Sequence, residues 1–178
     1  QLKLLLQKSD LNFKEILSSV PGSTKGEQQE IHVLENTNHI VFANGGNEGA
    51  PETGKLKDGL VKFDLENSQF ADSDIDFNGK NLNSSCICEL DINGDGEKDI
   101  FIGSYSPFNS YAVPAPSVIY LKQGNKYEAN YLDGLLKTSL VTDCEVLDLN
   151  NDGLLDLLVT KEWGTILALK NSADGTLL

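Results

Sequence analysis

The feature that most constrains this chain is an Asp-rich segment that occurs twice, 57 residues apart, each time set between short apolar runs. The first copy is Leu90-Asp91-Ile92-Asn93-Gly94-Asp95-Gly96-Glu97-Lys98-Asp99-Ile100-Phe101-Ile102, and the second is Leu147-Asp148-Leu149-Asn150-Asn151-Asp152-Gly153-Leu154-Leu155-Asp156-Leu157-Leu158-Val159. In both, side-chain oxygens fall at the first, third, fifth and ninth positions and glycine at the sixth. Alternate residues of a tightly curled loop can aim their oxygens at one centre, and the glycine supplies a backbone conformation that bulkier residues resist. Three carboxylates held that close repel one another unless a cation sits among them.

Ca²⁺ takes about six to eight hard oxygen ligands and tolerates irregular geometry, whereas Mg²⁺ demands near-ideal octahedra. The spacing therefore predicts two Ca²⁺ sites. One is built from Asp91, Asn93, Asp95 and Asp99 and the other from Asp148, Asn150, Asp152 and Asp156, with the backbone carbonyls of Glu97 and Leu154 and water completing the shells. An EF-hand opens with the same pattern but needs an acidic ligand at its twelfth position and a helix on either side. Here the twelfth positions are Ile102 and Val159, within β-like runs, so each loop reads as the tip of a hairpin.

The periodicity extends beyond the loops. Each is preceded by a short apolar stretch, Cys86 to Leu90 or Cys144 to Leu147, and followed by a continuous one, Ile100 to Ile102 or Leu157 to Val159, the pattern of strands buried on both faces. A third apolar stretch follows, Val118 to Leu121 or Ile166 to Leu169, then a tight-turn dipeptide, Gly124-Asn125 or Asp174-Gly175. After the first of these turns Tyr127-Glu128-Ala129 reads as an outer strand. Upstream, His39 to Ala43 occupies the place of Asp99 to Gly103, and Leu60 to Phe63 and the turn Glu66-Asn67-Ser68 follow it. Only Glu35 to Asn38 stand where the acidic loop should be. The chain is thus expected to be all-β: a single domain of about three four-stranded antiparallel units, near 13–69 (degenerate, without a metal loop), 70–126 and 127–178. The stretch Leu2 to Leu17 fits a helix or a strand, and the repeat favours a strand.

Composition narrows the function. The net charge of −13 repels a phosphate backbone, so nucleic acid is not an expected partner, and no apolar run reaches the roughly 20 residues of a membrane span. Cys86, Cys88 and Cys144 form no even-numbered framework and read as buried small hydrophobes, one bridge between Cys144 and an earlier cysteine being the alternative. The chain opens with Gln1, contains no Met and shows no signal peptide, which reads as a processed or excised piece.

The segments Asp91 to Ile102 and Asp148 to Val159, each between a short strand and an apolar one, resemble the calcium-binding hairpins of FG-GAP/VCBS repeats, familiar from integrin-like β-propellers. Asn44 to Glu48, Tyr105-Ser106-Pro107, Val141-Thr142-Asp143 and Lys161 to Gly164 are similar to stretches of large secreted bacterial proteins with this repeat. The resemblance implies blades of four antiparallel strands, calcium stiffening each hairpin, and an adhesive, ligand-binding or scaffold role at the cell surface or outside it. Closed propellers carry about four to eight blades. Three units therefore imply a fragment of a larger propeller, or a ring completed by self-association.

Two long connections, Gly45 to Asp58 and Ser104 to Pro116, are the natural places for recognition on a rigid sheet scaffold. The second carries Tyr105, Phe108 and Tyr111, suited to a carbohydrate or protein ligand. Trp163, the one tryptophan, reads first as packing between blades and second as a ligand contact. His32 and His39 read as structural or surface residues, Asp72, Asp74 and Asp76 as a solvated face, and no nucleophile elbow, zinc-protease motif, P-loop or dinucleotide fingerprint is present. The expectation is a non-catalytic, calcium-stabilised extracellular interaction module. The alternatives are an accessory or catalytic propeller of a polysaccharide-active enzyme and a structural spacer.

Overall fold

The structure is a computed structural model and describes residues 4–9, 12–17, 27–35, 37–45, 59–71, 83–107, 110–131, 139–174 and 176–177. The described residues form strands and turns and no helix, and none of them forms a helix long and apolar enough to cross a membrane. The first two strands, β1 (Leu4–Ser9) and β2 (Asn12–Leu17), pair antiparallel as a separate hairpin. The N-terminal stretch is therefore strand and not helix.

Three further antiparallel sheets follow. Blade 1 contains β3 (Glu27–Val33), β4 (His39–Gly45), β5 (Gly59–Asp64) and β6 (Gln69–Ala71). Blade 2 contains β7 (Ser84–Leu90), β8 (Asp99–Ser104), β9 (Val118–Gln123) and β10 (Lys126–Tyr131). Blade 3 contains β11 (Val141–Leu147), β12 (Asp156–Lys161) and β13 (Leu167–Leu169), with one bridge between Asn171 and Leu177 beyond them. Strands follow one another in chain order across every sheet, as in propeller-type blades.

Strand β6 runs on to Ala71, and β10 belongs to blade 2, because Gly124 (φ 62°) and Asn125 make a two-residue hairpin that pairs Gln123 with Lys126. Among the described residues blade 3 has three strands and the Asn171–Leu177 bridge where four strands were expected.

Pairing register decides what each blade buries. Directly opposed residues share a face, so Ile87 and Ile102 lie on one side of blade 2 and Cys88 and Phe101 on the other. The first side packs Ile87, Ile100, Ile102, Val118 and Tyr120 against Leu34, Val41 and Ala43 of blade 1. The second packs Cys86, Cys88, Leu90, Phe101 and Ile119 against Val141, Cys144, Leu157, Val159 and Leu169 of blade 3. Blade 2 is thus a middle slice, which explains the unbroken apolar run of β8, and each large side chain buried there contributes about 1.5–3 kcal/mol. Gly103 marks the closest approach. A Cβ there would collide with Cys86 Sγ and lie 2.6 Å from Val141 Cγ1.

Strand β7 touches β3 and β4 on one side and β11 on the other. Because the strands alternate in direction, the acidic connections β7–β8 and β11–β12 emerge at one end of the blades. The connections β8–β9 and β12–β13 emerge at the opposite end.

Candidate functional site

The two acidic loops repeat not only in sequence but in most of their hydrogen bonds; the first-position carboxylate differs in one donor, the fourth N–H in the first loop and the fifth in the second. The first-position carboxylate straddles two backbone donors: Asp91 accepts from Gly94 N–H (2.7 Å) and Gly96 N–H (2.9 Å), and Asp148 from Asp152 N–H (3.1 Å) and Gly153 N–H (2.9 Å). At the third position Asn93 Oδ1 accepts from Asp95 N–H and Asn150 Oδ1 from Asp152 N–H. Each amide also donates to the fifth-position carboxylate. That fifth residue accepts the seventh N–H, Glu97 to Asp95 and Leu154 to Asp152. The backbone repeats as well, with positive φ at the fourth and sixth positions, Gly94 and Gly96 or Asn151 and Gly153. Only the first loop needs glycine at its fourth position for space, since a Cβ on Gly94 would lie 2.9 Å from Ala173 O of blade 3.

The ninth-position aspartates are different in kind, because both are buried. Asp99 accepts from Ile92 N–H across the loop (2.9 Å) and from Lys122 N–H at the end of β9 (2.8 Å). Asp156 accepts from Leu149 N–H (3.0 Å) and from Asn171 N–H (2.9 Å). Each ties the neck of its loop to the third strand of its blade. Asn171, also fully buried, extends this link between blades by donating its side-chain amide to Asp91 O at 2.7 Å. Nothing in the sequence singled it out, because its counterpart in blade 2, the donor to Asp99, is the backbone of Lys122.

Burial, and after it the charges of Asp95 and Asp91, push the Asp99 carboxyl above its ordinary range against the lowering effect of its two N–H donors. Among the described residues no three acidic side chains converge as a preformed metal centre; their oxygens face backbone donors. A carboxylate has about four lone-pair sites, so one or two N–H bonds leave capacity for a cation. The donor set therefore fits a hard divalent cation in chemistry and spacing. Asp91, Asn93 and Asp95 are half-buried or exposed, with Asp99 at the base. Glu97 and Leu154 stand at the seventh positions, where the sequence placed carbonyl ligands. Lys122 Nζ meets Glu97 at 2.7 Å and Lys170 Nζ meets Asp152 at 3.4 Å, so each loop carries one cationic neighbour.

At the opposite end Tyr111 and Trp163, from blades 2 and 3, form an edge-to-face pair with ring centroids 6.5 Å apart. They are 65% and 59% exposed, so Trp163 does not fill the space between blades; its short connection projects it past the sheet ends. Tyr105 lies near Tyr111 and Glu162, and burial, followed by the Glu162 charge and Tyr111, pushes its phenol up to about 12. Phe108, most of the Gly45 to Asp58 connection and Asp72, Asp74 and Asp76 lie outside the described residues.

The innermost strands enclose a cleft of about 260 Å³ between the blades, lined by Glu30 and His32 of β3, Cys88 and Glu89 of β7, and Cys144 and Glu145 of β11. His32 Nε2 meets Glu89 at 3.0 Å, and Glu30 accepts the backbone N–H of Ile87, so blade 1 is also held to blade 2 by polar contacts. Burial raises the Glu30 carboxyl above its ordinary 4.5. The Ile87 N–H and His32 lower it, while Asp143 and Glu145 add to the rise. A raised folded-state value means the folded chain holds this proton more tightly than the unfolded one, so stability falls as pH climbs from about 4.5 through the folded value. Glu30→Gln keeps an acceptor for Ile87 and removes the titration. Thermal melts from pH 4 to 8 are expected to show the variant gaining on the wild type as pH rises, whereas parallel profiles would remove this penalty from Glu30.

No curated protein matches the chain. The segment from the first aspartate of one loop to Val159, beyond the other loop, matches a family described as FG-GAP-like repeat, over residues 91–159. The matched segment takes in both acidic loops and the strands from β8 up to Val159 of β12, within an all-β stack of propeller-type blades.

Proposed function

We propose that this chain is a non-catalytic, calcium-stabilised interaction module working at the cell surface or outside the cell, and that it is part of a larger propeller or completes a ring by self-association. The observation that carries the reading is the recurrence in both acidic loops of one oxygen set and of the hydrogen bonds made by its third, fifth and ninth positions. Asp91, Asn93, Asp95 and Asp99 would hold one Ca²⁺, and Asp148, Asn150, Asp152 and Asp156 the other, with the Glu97 and Leu154 carbonyls. Bound calcium supplies positive charge to carboxylates that otherwise repel one another. FG-GAP-like repeats are typical of extracellular proteins, where that cation is abundant.

Recognition is placed at the opposite rim. Tyr111 and Trp163 offer exposed ring faces, and Tyr105 and Glu162 add polar groups beside them, a combination that suits a carbohydrate and, second to it, a protein surface. The test is retention of the chain on a panel of immobilised polysaccharides in the presence of Ca²⁺, comparing wild type with Trp163→Ala and Tyr111→Ala. Retention without bond cleavage, weakened about tenfold or more by Trp163→Ala, is expected, a loss of about 1.4 kcal/mol or more. Cleavage of the polysaccharide would transfer the chain to the enzyme reading, and no retention on any of them would leave a protein ligand or a spacer.

A further inference from the structure

The three cysteines sit where two blades meet. Cys86 and Cys88 point from β7 toward blade 3, Cys144 faces them from β11, and all three are buried free thiols in one cluster. They share the core between blades 2 and 3, and Cys88 and Cys144 line the same cleft. We propose that Cys144 is the pivot of an inter-blade disulfide, bonded to Cys86 or Cys88 and leaving the third cysteine as a thiol.

Strand geometry makes Cys144 the obligatory partner. Cys86 and Cys88 are two residues apart on one face of one strand, about 6.6 Å between Cα atoms with parallel side chains, which is poor geometry for bridging each other. A sulfur approaching from the neighbouring blade meets either of them. Gly103 contributes by leaving room for Cys86 Sγ where a side chain would displace it. Access comes from the cleft between the innermost strands, which Cys88 and Cys144 line.

The oxidant is a small disulfide such as oxidised glutathione. The Cys144 thiolate attacks one sulfur of the donor and releases a donor thiol, giving a mixed disulfide. The thiolate of Cys86 or Cys88 then attacks the Cys144 sulfur, and the second donor thiol leaves. Two protein thiols and one donor disulfide become one protein disulfide and two donor thiols, which carry away the two protons. The neighbouring Cys144 thiol and burial hold the Cys86 thiol far above its ordinary range. Exchange in the closed fold is therefore slow, and the bond forms when the blades part or during folding. The remaining cysteine lies against the bond and is placed to attack it, so the bridge can move between Cys86 and Cys88.

The test uses the full chain, reduced and then equilibrated in a glutathione redox buffer with and without Ca²⁺. Thiols are counted by alkylation after denaturation and the bridge is located by peptide mass mapping. A monomer with one free thiol, a cross-linked peptide containing Cys144 and a melting temperature about 5–10 °C above the reduced form are expected, since the bond closes a loop of more than 50 residues. Cys86→Ala and Cys88→Ala should each still form a bridge, and Cys144→Ala should keep both of its thiols. Three free thiols in the wild type, a Cys86 to Cys88 bridge, or Cys144 found only joined to glutathione or to another chain would overturn the proposal. Should Cys144→Ala not fold, the other two variants decide. Thiol counts do not depend on calcium, so a failure here leaves the metal reading untouched.

Discussion

Asp99→Ala is expected to lower stability by about 3–5 kcal/mol, measured in EDTA by the shift in the urea midpoint at unchanged slope. The buried Asp99 carboxylate accepts Ile92 N–H and Lys122 N–H, and hydrogen bonds to charged acceptors contribute about 1.5–3 kcal/mol each. Alanine leaves both donors buried and unsatisfied. The cost of burying a carboxylate, visible in its raised proton affinity, offsets part of this, so the lower half of the range is the better expectation. Asp156→Ala should behave alike through Leu149 and Asn171. Asp95→Ala is the control: it removes an exposed side chain that closes only local turns, and should cost about 1 kcal/mol or less in EDTA. If Asp99→Ala were no worse than Asp95→Ala, the ninth-position aspartate would not be the anchor of its loop.

Calcium should have the second large effect. A ligand that binds only the folded chain stabilises it by about 2.7 kcal/mol per site at a hundredfold excess over Kd, so two sites amount to about 5 kcal/mol and a rise in Tm of about 10 °C or more over EDTA. Calorimetric titration should count two sites, and Asp95→Asn and Asp152→Asn should each remove or weaken one. These fifth positions suit the purpose because they are exposed and leave the buried anchors intact. A melt that ignores both EDTA and calcium would sink the metal reading while leaving the structural part of Asp99 and Asp156 in place.

Much of this was legible in the sequence because the repeat is written in residues whose roles are local. The oxygen at every second position and the glycine at the sixth describe a loop that closes on itself, and the apolar triplets on either side describe strands buried on both faces. The all-β class and the hairpin placement of the loops followed. Relations between blades were not legible. Asn171 bridges Asp156 to Asp91 across 80 positions, and no local pattern distinguishes it from any other turn asparagine. His32 meets Glu89 across 57 positions. The exposure of Trp163 depends on where a four-residue connection points, and the limit of blade 2 on which side of a turn the chain re-pairs.

The position of blade 2 between two neighbours also ranks the local openings of the fold. Within this chain blade 3 packs on its neighbour through one face, while parting blade 2 gives up two, with Phe101 and Ile119 on one and Ile100 and Ile102 on the other. In a linear stack the cost of opening follows the number of interfaces broken. Backbone amides of β8 therefore exchange with solvent only through whole-domain unfolding, whereas those of β13 exchange through a smaller, more frequent fluctuation. The chain carries a gradient of residence in the folded state that runs outward from its middle sheet.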